Sequence, residues 1–373
     1  MIKIFYDYQI FASQRYGGIS RYFCELATTL KNHDQVNPLI FAPIHINQYL
    51  MNCPSSLVRG QYIPFIPKTT RPRKWINAAM SALYFRCSAN HHGTDPAIIH
   101  ETYYSAVKLA PKKIKTVITV YDMIHEKFQS QFNYGDKTTT IKANAIKRAD
   151  HIICISRSTK NDLLEKFDTL SGKISVVHLA SSLMLDDESD TLSYPKHDPY
   201  ILYVGARGGY KNFHGLIDAY AHSKRLMSDF KILCFGGGPF RKDEKLKIQK
   251  LGILQNNILQ ISGDDNLLAT CYRDAAVFIY PSLYEGFGIP LLEAMNCHCP
   301  VVCSNTSSFP EVAGDAADYF DPNDIDSIKH TLESVLYSTT RTQSLIELGN
   351  QRRLNFSWDK CAEKTASIYR TLS

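Results

Sequence analysis

Short apolar runs of strand length alternate with segments of helical period along this chain, and that alternation constrains the fold more than any other feature. In the first half, the strand-like runs Ile2 to Tyr6 and His151 to Ile155 enclose the helix-like segment Ile19 to Leu30. The rhythm restarts at Tyr200 and includes the run Val277 to Tyr280. A βαβα order favours mostly parallel sheets flanked by helices. We therefore predict an α/β fold.

The length predicts more than one domain, because 373 residues exceed what a single hydrophobic core normally serves. Around residues 181–199 the apolar rhythm stops in an acidic, proline-bracketed stretch, where we place the linker. We expect an N-terminal domain at residues 1–185 and a C-terminal domain at 186–355. The final segment, 356–373, has helical spacing and is expected to pack back toward the N-terminal domain.

The sequence also indicates where the protein works. No apolar stretch approaches the roughly 18 residues that span a bilayer, and the start of the chain is typical of a first strand. The 10 Cys are scattered without the dense spacing of a disulfide framework. We expect a cytoplasmic protein with free thiols.

Charge is distributed unevenly between the two halves. The first 180 residues contain 23 basic and 12 acidic residues, and the remainder contains 19 basic and 24 acidic ones. Solvated surface charge is the simplest interpretation, but runs such as Arg71 to Lys74 and Lys112 to Lys115 suggest an anionic partner. Without zinc-finger spacing or an aromatic RNA-binding motif, nucleic acid is disfavoured. We expect peripheral contact with an anionic membrane surface.

Because open parallel sheets bind ligands at the carboxyl ends of their strands, the loops after the strands are the candidate sites. In the first, Gly17 and Gly18 precede a helical run, where backbone N–H groups favour anions, and Arg21 lies one turn further. An ordinary loop-to-helix turn is the alternative. In the second, Gly205 begins a glycine-rich stretch carrying Arg207 and Lys211, two cations able to neutralise a diphosphate; solvated cations are the alternative.

The third loop is the most specific. Pro290 is typical of the first position of a helix, which places Glu293 in the first turn, eight positions after Glu285. Glu293 is a candidate acceptor for vicinal hydroxyls and Glu285 a candidate for a second ligand contact, with helix capping as the alternative for Glu293. The residues expected at the exposed N–H end of the helix are Gly286, Phe287, Gly288 and Ile289.

The fourth loop follows an apolar strand that ends in Tyr121 and Asp122, with His125 close behind. Another strand ends in His100, shortly before Tyr103. Titratable groups at strand ends are candidates for orienting a substrate hydroxyl or stabilising a cationic centre, and a partly buried structural histidine is the alternative. A metal site is not predicted, because the spacing of the cysteines and histidine between residues 297 and 303 matches no common zinc site.

Together these loops resemble the family 4 glycosyltransferases of the GT-B type, and more narrowly the bacterial polysaccharide transferases that begin with Gly-Gly-Ile-Ser-Arg-Tyr. The resemblance covers nearly the whole chain, and the glutamate pair Glu285 and Glu293 has the spacing of the family's motif. The other matching segments are residues 7–11, 17–22, 100–104, 149–156, 204–212, 236–239 and 308–314.

The resemblance implies two Rossmann-like domains whose parallel sheets face each other across a cleft. It implies that Glu293 holds the donor ribose, that Glu285 lies near the donor sugar, and that Arg207 and Lys211 bind the diphosphate. Asp122 matches the family pattern, whereas many relatives carry His where Tyr121 stands, so the role of that His does not transfer.

The resemblance further implies a retaining, metal-independent transfer of a hexose from a nucleotide sugar to a lipid-linked saccharide in O-antigen synthesis, without a cofactor, at the inner face of the cytoplasmic membrane. Mannose from GDP-mannose is the leading expectation. Rhamnose or glucose from a dTDP- or UDP-sugar is the first alternative, and an epimerase or an inactive nucleotide-sugar-binding scaffold of the same fold is the second. The sequence leaves the oligomeric state open.

Overall fold

The computed structural model describes residues 1–64, 70–89, 97–109, 111–185, 198–254 and 256–373. These divide into two compact units, the first made of Met1–Leu179 with Trp358–Ser373 and the second of Ala180–Ser357. Most of the expected linker, at residues 186–197, lies outside the described part of the chain, as do the side chains of the basic run Arg71 to Lys74 and of Arg86.

Unit 1 is built on a parallel seven-stranded sheet in the order β3-β2-β1-β4-β5-β6-β7. Its strands are β1 (Ile2–Tyr6), β2 (Val36–His45), β3 (Val58–Tyr62), β4 (Ile98–Glu101), β5 (Lys115–Val120), β6 (His151–Cys154) and β7 (Ile174–Val176). Its first helices are α1 (Gly18–Leu30), α2 (Thr70–Ala89), α3 (Ile124–Lys127), α4 (Thr138–Arg148) and α5 (Arg157–Lys166).

Unit 2 has a parallel six-stranded sheet in the order β10-β9-β8-β11-β12-β13. Its strands are β8 (Tyr200–Val204), β9 (Lys231–Phe235), β10 (Ile258–Ile261), β11 (Val277–Tyr280), β12 (Val301–Ser304) and β13 (Asp318–Phe320). Its helices are α6 (Phe213–Ala221), α7 (Lys224–Asp229), α8 (Lys242–Lys250), α9 (Asp265–Arg273), α10 (Ile289–Asn296), α11 (Phe309–Ala313), α12 (Ile325–Leu336) and α13 (Thr339–Arg352).

The central strands read as continuous apolar runs because helices cover both faces of each sheet. Every residue of β11 and of β12 is buried, for example. The prediction of two parallel-sheet α/β domains is confirmed.

The last helix, α14 (Trp358–Leu372), belongs to unit 1, so the expectation that the chain end packs back on the first domain is confirmed. Its buried residues recur at helical spacing and include Cys361, Thr365 and Tyr369. The hydroxyl of Tyr369 lies 2.6 Å from Nδ1 of His100 and 3.0 Å from the hydroxyl of Tyr6. Buried polar contacts thus fix α14 against β1 and β4.

Candidate active site

Two glycine-rich loops meet at the carboxyl ends of β8 and β9. Gly205 has φ 111°, and Gly236, Gly237 and Gly238 have φ between 69° and 79°, the left-handed region that favours glycine. A Cβ atom added to Gly237 would lie 2.6 Å from the carbonyl oxygen of Gly205. Glycine is therefore required for the backbones of the two loops to approach this closely.

Arg207 binds within the protein and is directed away from solvent. The residue is 4 % exposed, and its Nε donates to Oε1 of Glu244 at 3.2 Å. Its other nitrogens donate to the carbonyl oxygens of Gly236, Gly238 and Pro239 at 2.8–3.1 Å. Its charge is compensated in this structure and its hydrogen bonds hold the second glycine loop in place, while the expected contact of Arg207 with a diphosphate stays a prediction.

Lys211 and Glu285 come together from distant parts of the sequence. Lys211 ends a short 3-10 turn after β8, and its Nζ lies 2.6 Å from Oε1 of Glu285 in the loop after β11. Their side chains are 20 % and 11 % exposed, so Lys211 is partly accessible and Glu285 is largely buried. Beside them, burial and the negative charge of Glu285 raise the pKa of the Tyr280 hydroxyl well above its usual value. Tyr280 is therefore a neutral hydrogen-bond donor there.

Backbone strain accompanies this contact. Asn212, directly after Lys211, and Ser307, whose hydroxyl accepts from the backbone N–H of Glu285 at 3.0 Å, both have φ 53°. A left-handed conformation is uncommon for residues other than glycine, and it persists only where the surrounding structure enforces it. The side chain of Asn212 donates to the carbonyl oxygen of Pro322 at 2.7 Å, which supplies such a constraint.

The side chain of Ser308 holds the loop from Glu285 to Gly288 in place. The hydroxyl of Ser308 lies 3.0 Å from the carbonyl oxygen of Glu285 and 2.8 Å from that of Phe287, and Gly288 has φ 100°. Gly286 and Phe287 are buried, and Gly288 is the residue before α10. This places residues 286–289 at the N-terminal end of that helix, where backbone N–H groups favour anionic atoms.

Helix α10 begins one residue earlier than predicted, at Ile289, so Pro290 is its second residue and Glu293 lies in the second turn. The expectation that Glu293 lies in the first turn is therefore wrong. Its side chain is largely buried, at 8 % exposure, and Oε2 lies 3.1 Å from the hydroxyl of Tyr272 on α9. Burial and the charge of Glu293 raise the pKa of Tyr272. Tyr272 therefore donates to the carboxylate and fixes its orientation.

In unit 1, buried hydrogen bonds connect the loops after β1, β4 and β5. Asp7 is 1 % exposed, and its Oδ1 accepts from the backbone N–H of Thr102 at 3.1 Å and from its hydroxyl at 2.6 Å. The hydroxyl of Tyr121 donates to the carbonyl oxygen of Thr102 at 3.2 Å. Burial raises the pKa of the Asp7 carboxyl, which these hydrogen bonds partly counteract. The network fixes the carboxyl edge of this sheet.

Asp122 lies at that edge with its side chain 28 % exposed. Its Oδ1 accepts from the backbone N–H of Ile124 at 3.0 Å. Lys142 on α4, nearly buried, donates from Nζ to the carbonyl oxygen of Asp122 at 2.9 Å and to Oε2 of Glu126 at 2.7 Å. Lys142 therefore positions the Asp122 loop.

His100 is fully buried, and both ring nitrogens are engaged: Nδ1 with Tyr369 and Nε2 with the hydroxyl of Thr119 at 2.8 Å. Burial lowers the pKa of its imidazole to about 3, and the positive potential of His151 adds to this shift. This geometry contradicts a contact between His100 and an acceptor or sugar. His100 instead has the environment of a structural histidine, which was the alternative interpretation.

The other residues predicted in unit 1 have varied environments. His125 stacks on Phe132 at a ring distance of 4.0 Å and lies 3.5 Å from Asp136. The Tyr103 ring lies 5.0 Å from that of Tyr104. Burial, aided by the negative charge of Asp122, raises the pKa of Tyr103.

Gly17 and Gly18 lie where the sequence predicted, at the start of α1. A Cβ atom on Gly17 would approach Oε1 of Gln14 to 2.4 Å, whereas none would be obstructed at Gly18. Arg21 is half-buried, and its guanidinium lies 5.4 Å from the Tyr49 ring centre. The open space at Gly18 leaves the N-terminal end of α1 approachable.

Cys297, Cys299 and Cys303 are free, buried thiols whose pKa values are raised by burial. Within the described ranges of the chain, no three His, Cys, Asp or Glu side chains are grouped closely enough to hold a metal ion.

Sequence reasoning missed several residues that shape the site. The triplet Gly236 to Gly238 was noted only as part of the resemblance, although three adjacent glycines after a strand are a usable signal. Ser308 was likewise noted only as part of a matching segment, whereas Glu244 and Tyr272 reach the site from other elements and no local pattern marks them.

Two family models match this chain. One described as "Glycosyltransferase Family 4" matches residues 16–180, and one described as "Glycosyl transferases group 1" matches residues 186–352. Together they span most of the sequence, and their ranges lie one in each half.

Among known proteins, the chain is similar to the O-antigen chain mannosyltransferase B of Escherichia coli, with 28% identity over 70% of this chain and 72% of that protein. It is also 28% identical to the serotype-specific mannosyltransferase WbdA of Escherichia coli over 66% of this chain, but it covers only 32% of that longer protein. Among solved structures, Anabaena Alr3699/HepE in complex with UDP and glucose matches over the full length of both chains, with a TM-score of 0.71 and 14% identity. At that identity the structural likeness shows the fold alone.

Proposed function

The chain belongs to glycosyltransferase family 4, with the two-domain GT-B fold, and from that premise we propose that it transfers a mannosyl residue from GDP-mannose to a lipid-linked saccharide. Mannose is proposed because relatives that are similar to this chain in sequence are named as mannosyltransferases. We further propose that the transfer retains the anomeric configuration and requires no metal ion, on the family resemblance alone.

The contact between Lys211 and Glu285 carries this proposal. It joins a cation on the loop after β8 to a carboxylate on the loop after β11, at the carboxyl edge where open parallel sheets bind ligands. In the proposed complex, Lys211 pairs with the donor diphosphate, Glu285 faces the sugar, and Glu293 accepts hydrogen bonds from the ribose hydroxyls. Asp122 in unit 1 is proposed to contact the sugar or acceptor.

The chemistry follows from charge. As the bond between the sugar C1 and the diphosphate oxygen breaks, its electron pair leaves with the diphosphate, and positive charge develops on C1 and the ring oxygen. Lys211 and the N-terminal end of α10 stabilise the leaving anion. The carboxylate of Glu285 stabilises the developing positive charge. The acceptor hydroxyl oxygen then bonds to C1, and its proton passes to the departing diphosphate oxygen.

Calorimetry with GDP, UDP, dTDP and ADP tests the donor. We expect GDP to bind most tightly. Tighter binding of UDP or dTDP would instead support the alternative of a glucosyl- or rhamnosyltransferase, for which the UDP and glucose found with Alr3699/HepE offer a precedent in the fold. Conversion of the donor sugar without an acceptor would indicate an epimerase, and nucleotide binding without any turnover would indicate an inactive scaffold.

A Lys211→Ala variant tests the diphosphate contact. We expect at least a roughly 100-fold loss of turnover, because a preorganised charge at a leaving group contributes several kcal/mol to transition-state stabilisation. Lys245→Ala is the matched control, since Lys245 is an exposed lysine of the same unit. Full turnover in Lys211→Ala would dispose of the assignment.

A Glu293→Ala variant tests the ribose contact. We expect weaker binding of both the nucleotide diphosphate and the nucleotide sugar, because the ribose is common to them. Glu347→Ala, at a carboxylate on α13 outside the site, is the control. Unchanged affinity of Glu293→Ala for the nucleotide would remove Glu293 from the site.

We also propose that the enzyme works at the inner face of the cytoplasmic membrane as a peripheral protein. The excess of basic residues in the first half of the chain supports this placement. In the described ranges no helix is both long and apolar enough to cross a membrane. Sedimentation with vesicles at low salt tests it, and indifference to anionic lipid would contradict it.

A further inference from the structure

On the described part of helix α2, large apolar side chains face outward, while two of the three buried side chains are polar. Its buried face contains Asn77 and Ser81, followed by Phe85, at intervals of four residues. Helices on globular proteins normally show the opposite arrangement. The large apolar side chains exposed on α2 are Trp75 at 81 %, Ile76 at 45 %, Met80 at 43 % and Leu83 at 61 %.

This orientation is fixed by hydrogen bonds. The side chain of Asn77 accepts from the backbone N–H of Ile44 and donates to the carbonyl oxygen of the same residue, each at 2.9 Å. Rotating the helix to bury its apolar face would break both bonds and expose the Phe85 ring, which packs 4.9 Å from that of Phe5. The outward apolar face is therefore a built feature of the fold.

A cavity of about 490 Å³ lies beside α2, on the same face of the sheet. Tyr84, the residue after Leu83, lines it together with the apolar side chains Leu39 and Phe41. Lys3 and Arg59 contribute positive charge, and none of the described residues that line the cavity carries a carboxylate. The cavity thus has apolar walls and basic groups, and its lining residue Tyr84 directly follows the exposed Leu83 in sequence.

The charge of this region indicates the kind of surface it fits. The sequence of α2 contains four basic residues and no acidic one. Lys112 and Lys113, in the turn before β5, are exposed as well. Apolar side chains combined with excess positive charge suit the interface of an anionic bilayer. There, apolar side chains insert among the acyl chains, and basic side chains pair with lipid phosphates. A second copy of this basic surface would be repelled.

We propose that the outward face of α2 and the adjoining cavity form the surface by which this enzyme docks onto an anionic phospholipid bilayer. Trp75 and Leu83 enter the interfacial region, and lipid phosphates pair with Lys3 and Arg59. The inference rests on the proposed function, because a lipid-linked acceptor is what brings the enzyme to a membrane, but it assigns the contact to particular residues that the reaction does not use.

Tryptophan fluorescence tests the docking directly, since the chain has only two Trp. Trp358 is half-buried, with its ring 6.3 Å from that of Tyr22, so a Trp358→Phe variant leaves the exposed Trp75 as the single reporter. We expect its emission to shift to the blue with phosphatidylglycerol-containing vesicles and to stay unchanged with pure phosphatidylcholine. The reciprocal Trp75→Phe variant, which reports on Trp358, is expected to show no shift. If the emission wavelength of Trp75 did not change with anionic vesicles, the proposal would be overturned.

A charge placed on the face provides the second test. Leu83→Glu is expected to weaken co-sedimentation with anionic vesicles by roughly tenfold or more, because binding scales with the apolar area inserted and with charge. Leu254→Glu is the matched control, an equally exposed leucine (66 %) of unit 2. Transfer to a saccharide acceptor without its lipid is expected to continue unchanged in Leu83→Glu.

The outcomes separate the two proposals. Absence of transfer to any acceptor, with vesicle binding lost only in Leu83→Glu, would refute the proposed reaction and support the docking surface. Normal vesicle binding by Leu83→Glu would overturn the docking surface and leave the proposed reaction intact. The same holds if the wild type is a dimer that Leu83→Glu converts to a monomer while vesicle binding persists.

Discussion

Replacing Arg207 with Met should destabilise the second unit strongly, whether or not a nucleotide is present. Arg207 is almost completely buried, and it holds Glu244, itself 1 % exposed, in an ion pair with an Nε to Oε1 distance of 3.2 Å. Methionine approximates the length of the side chain but removes every hydrogen bond that it donates. Glu244 would then keep its negative charge in the interior with only a longer contact to the exposed Arg241, whose Nη2 lies 3.5 Å from Oε1.

The expected magnitude follows from that uncompensated charge. Removing one partner of a buried ion pair typically costs about 3–5 kcal/mol of unfolding free energy. The carbonyl oxygens of Gly236, Gly238 and Pro239 also lose donors, whereas the remaining contact of Glu244 with Arg241 offsets part of the loss, so we expect a value within that range. For a unit of this size, such a loss lowers the melting temperature by roughly 10 °C or more.

Urea unfolding and calorimetry of the full-length variants measure the effect. A double variant, Arg207→Met with Glu244→Met, should recover much of the lost stability, because the unpaired charge is gone. Arg225→Met is the control: Arg225 has a side chain that is 64 % exposed, and we expect its replacement to change stability by no more than about 0.5 kcal/mol.

The opposite pattern would refute this reasoning. If Arg207→Met were as stable as the wild type but bound nucleotide diphosphates poorly, Arg207 would be a ligand of the diphosphate, as the sequence suggested. If the double variant were no more stable than the single one, the ion pair with Glu244 would not be the source of the effect.

Three further perturbations follow from single contacts. Because burial holds the pKa of His100 near 3, against 6.5 in an unfolded chain, its contribution to stability is present above pH 6.5 and is lost as the pH falls below that value. Between about pH 7.5 and 5.5 we expect the wild type to lose roughly 1.4 kcal/mol more than His100→Gln in urea unfolding; equal losses would contradict the assigned environment. Tyr369→Phe removes the hydroxyl shared with His100 and Tyr6 and should cost about 1–3 kcal/mol in the same assay, and an unchanged midpoint would argue against that network. Gly237→Ala should lower thermal stability and nucleotide affinity together, because its Cβ would lie 2.6 Å from the carbonyl oxygen of Gly205 in a backbone with φ 69°; a variant matching the wild type in both would show that the loops can separate without penalty.

The strands illustrate how far local pattern reaches. Buried strands such as β8 and β11 are continuous apolar runs, and the sequence placed both at their observed bounds. The three strands that the pattern did not single out, β3, β7 and β13, are all at a sheet edge. An edge strand is covered less completely, as the exposed centre of β3 shows, so its side chains need not be apolar.

The candidate site divides in a similar way. Positions that depend on the backbone or on helix termini were visible in the sequence, because Gly288 and Pro290 have local conformational preferences that mark the start of α10. The pairing of Lys211 with Glu285 was not visible in the sequence, because 74 residues separate the two. Only the adjacency of β8 and β11 in the sheet brings Nζ of Lys211 to 2.6 Å from Oε1 of Glu285.

By itself, then, the sequence determined the α/β class, the parallel sheets, the return of the last helix and the loops that carry the candidate site, because each of these depends on local periodicity, glycine and proline. Tertiary structure alone decided what the charged and polar side chains contact. It turned Arg207 toward Glu244 and buried His100 against Tyr369, and it left the apolar side of α2 in solvent. A side chain's partner depends on which elements fold together, and that information is spread over the whole chain.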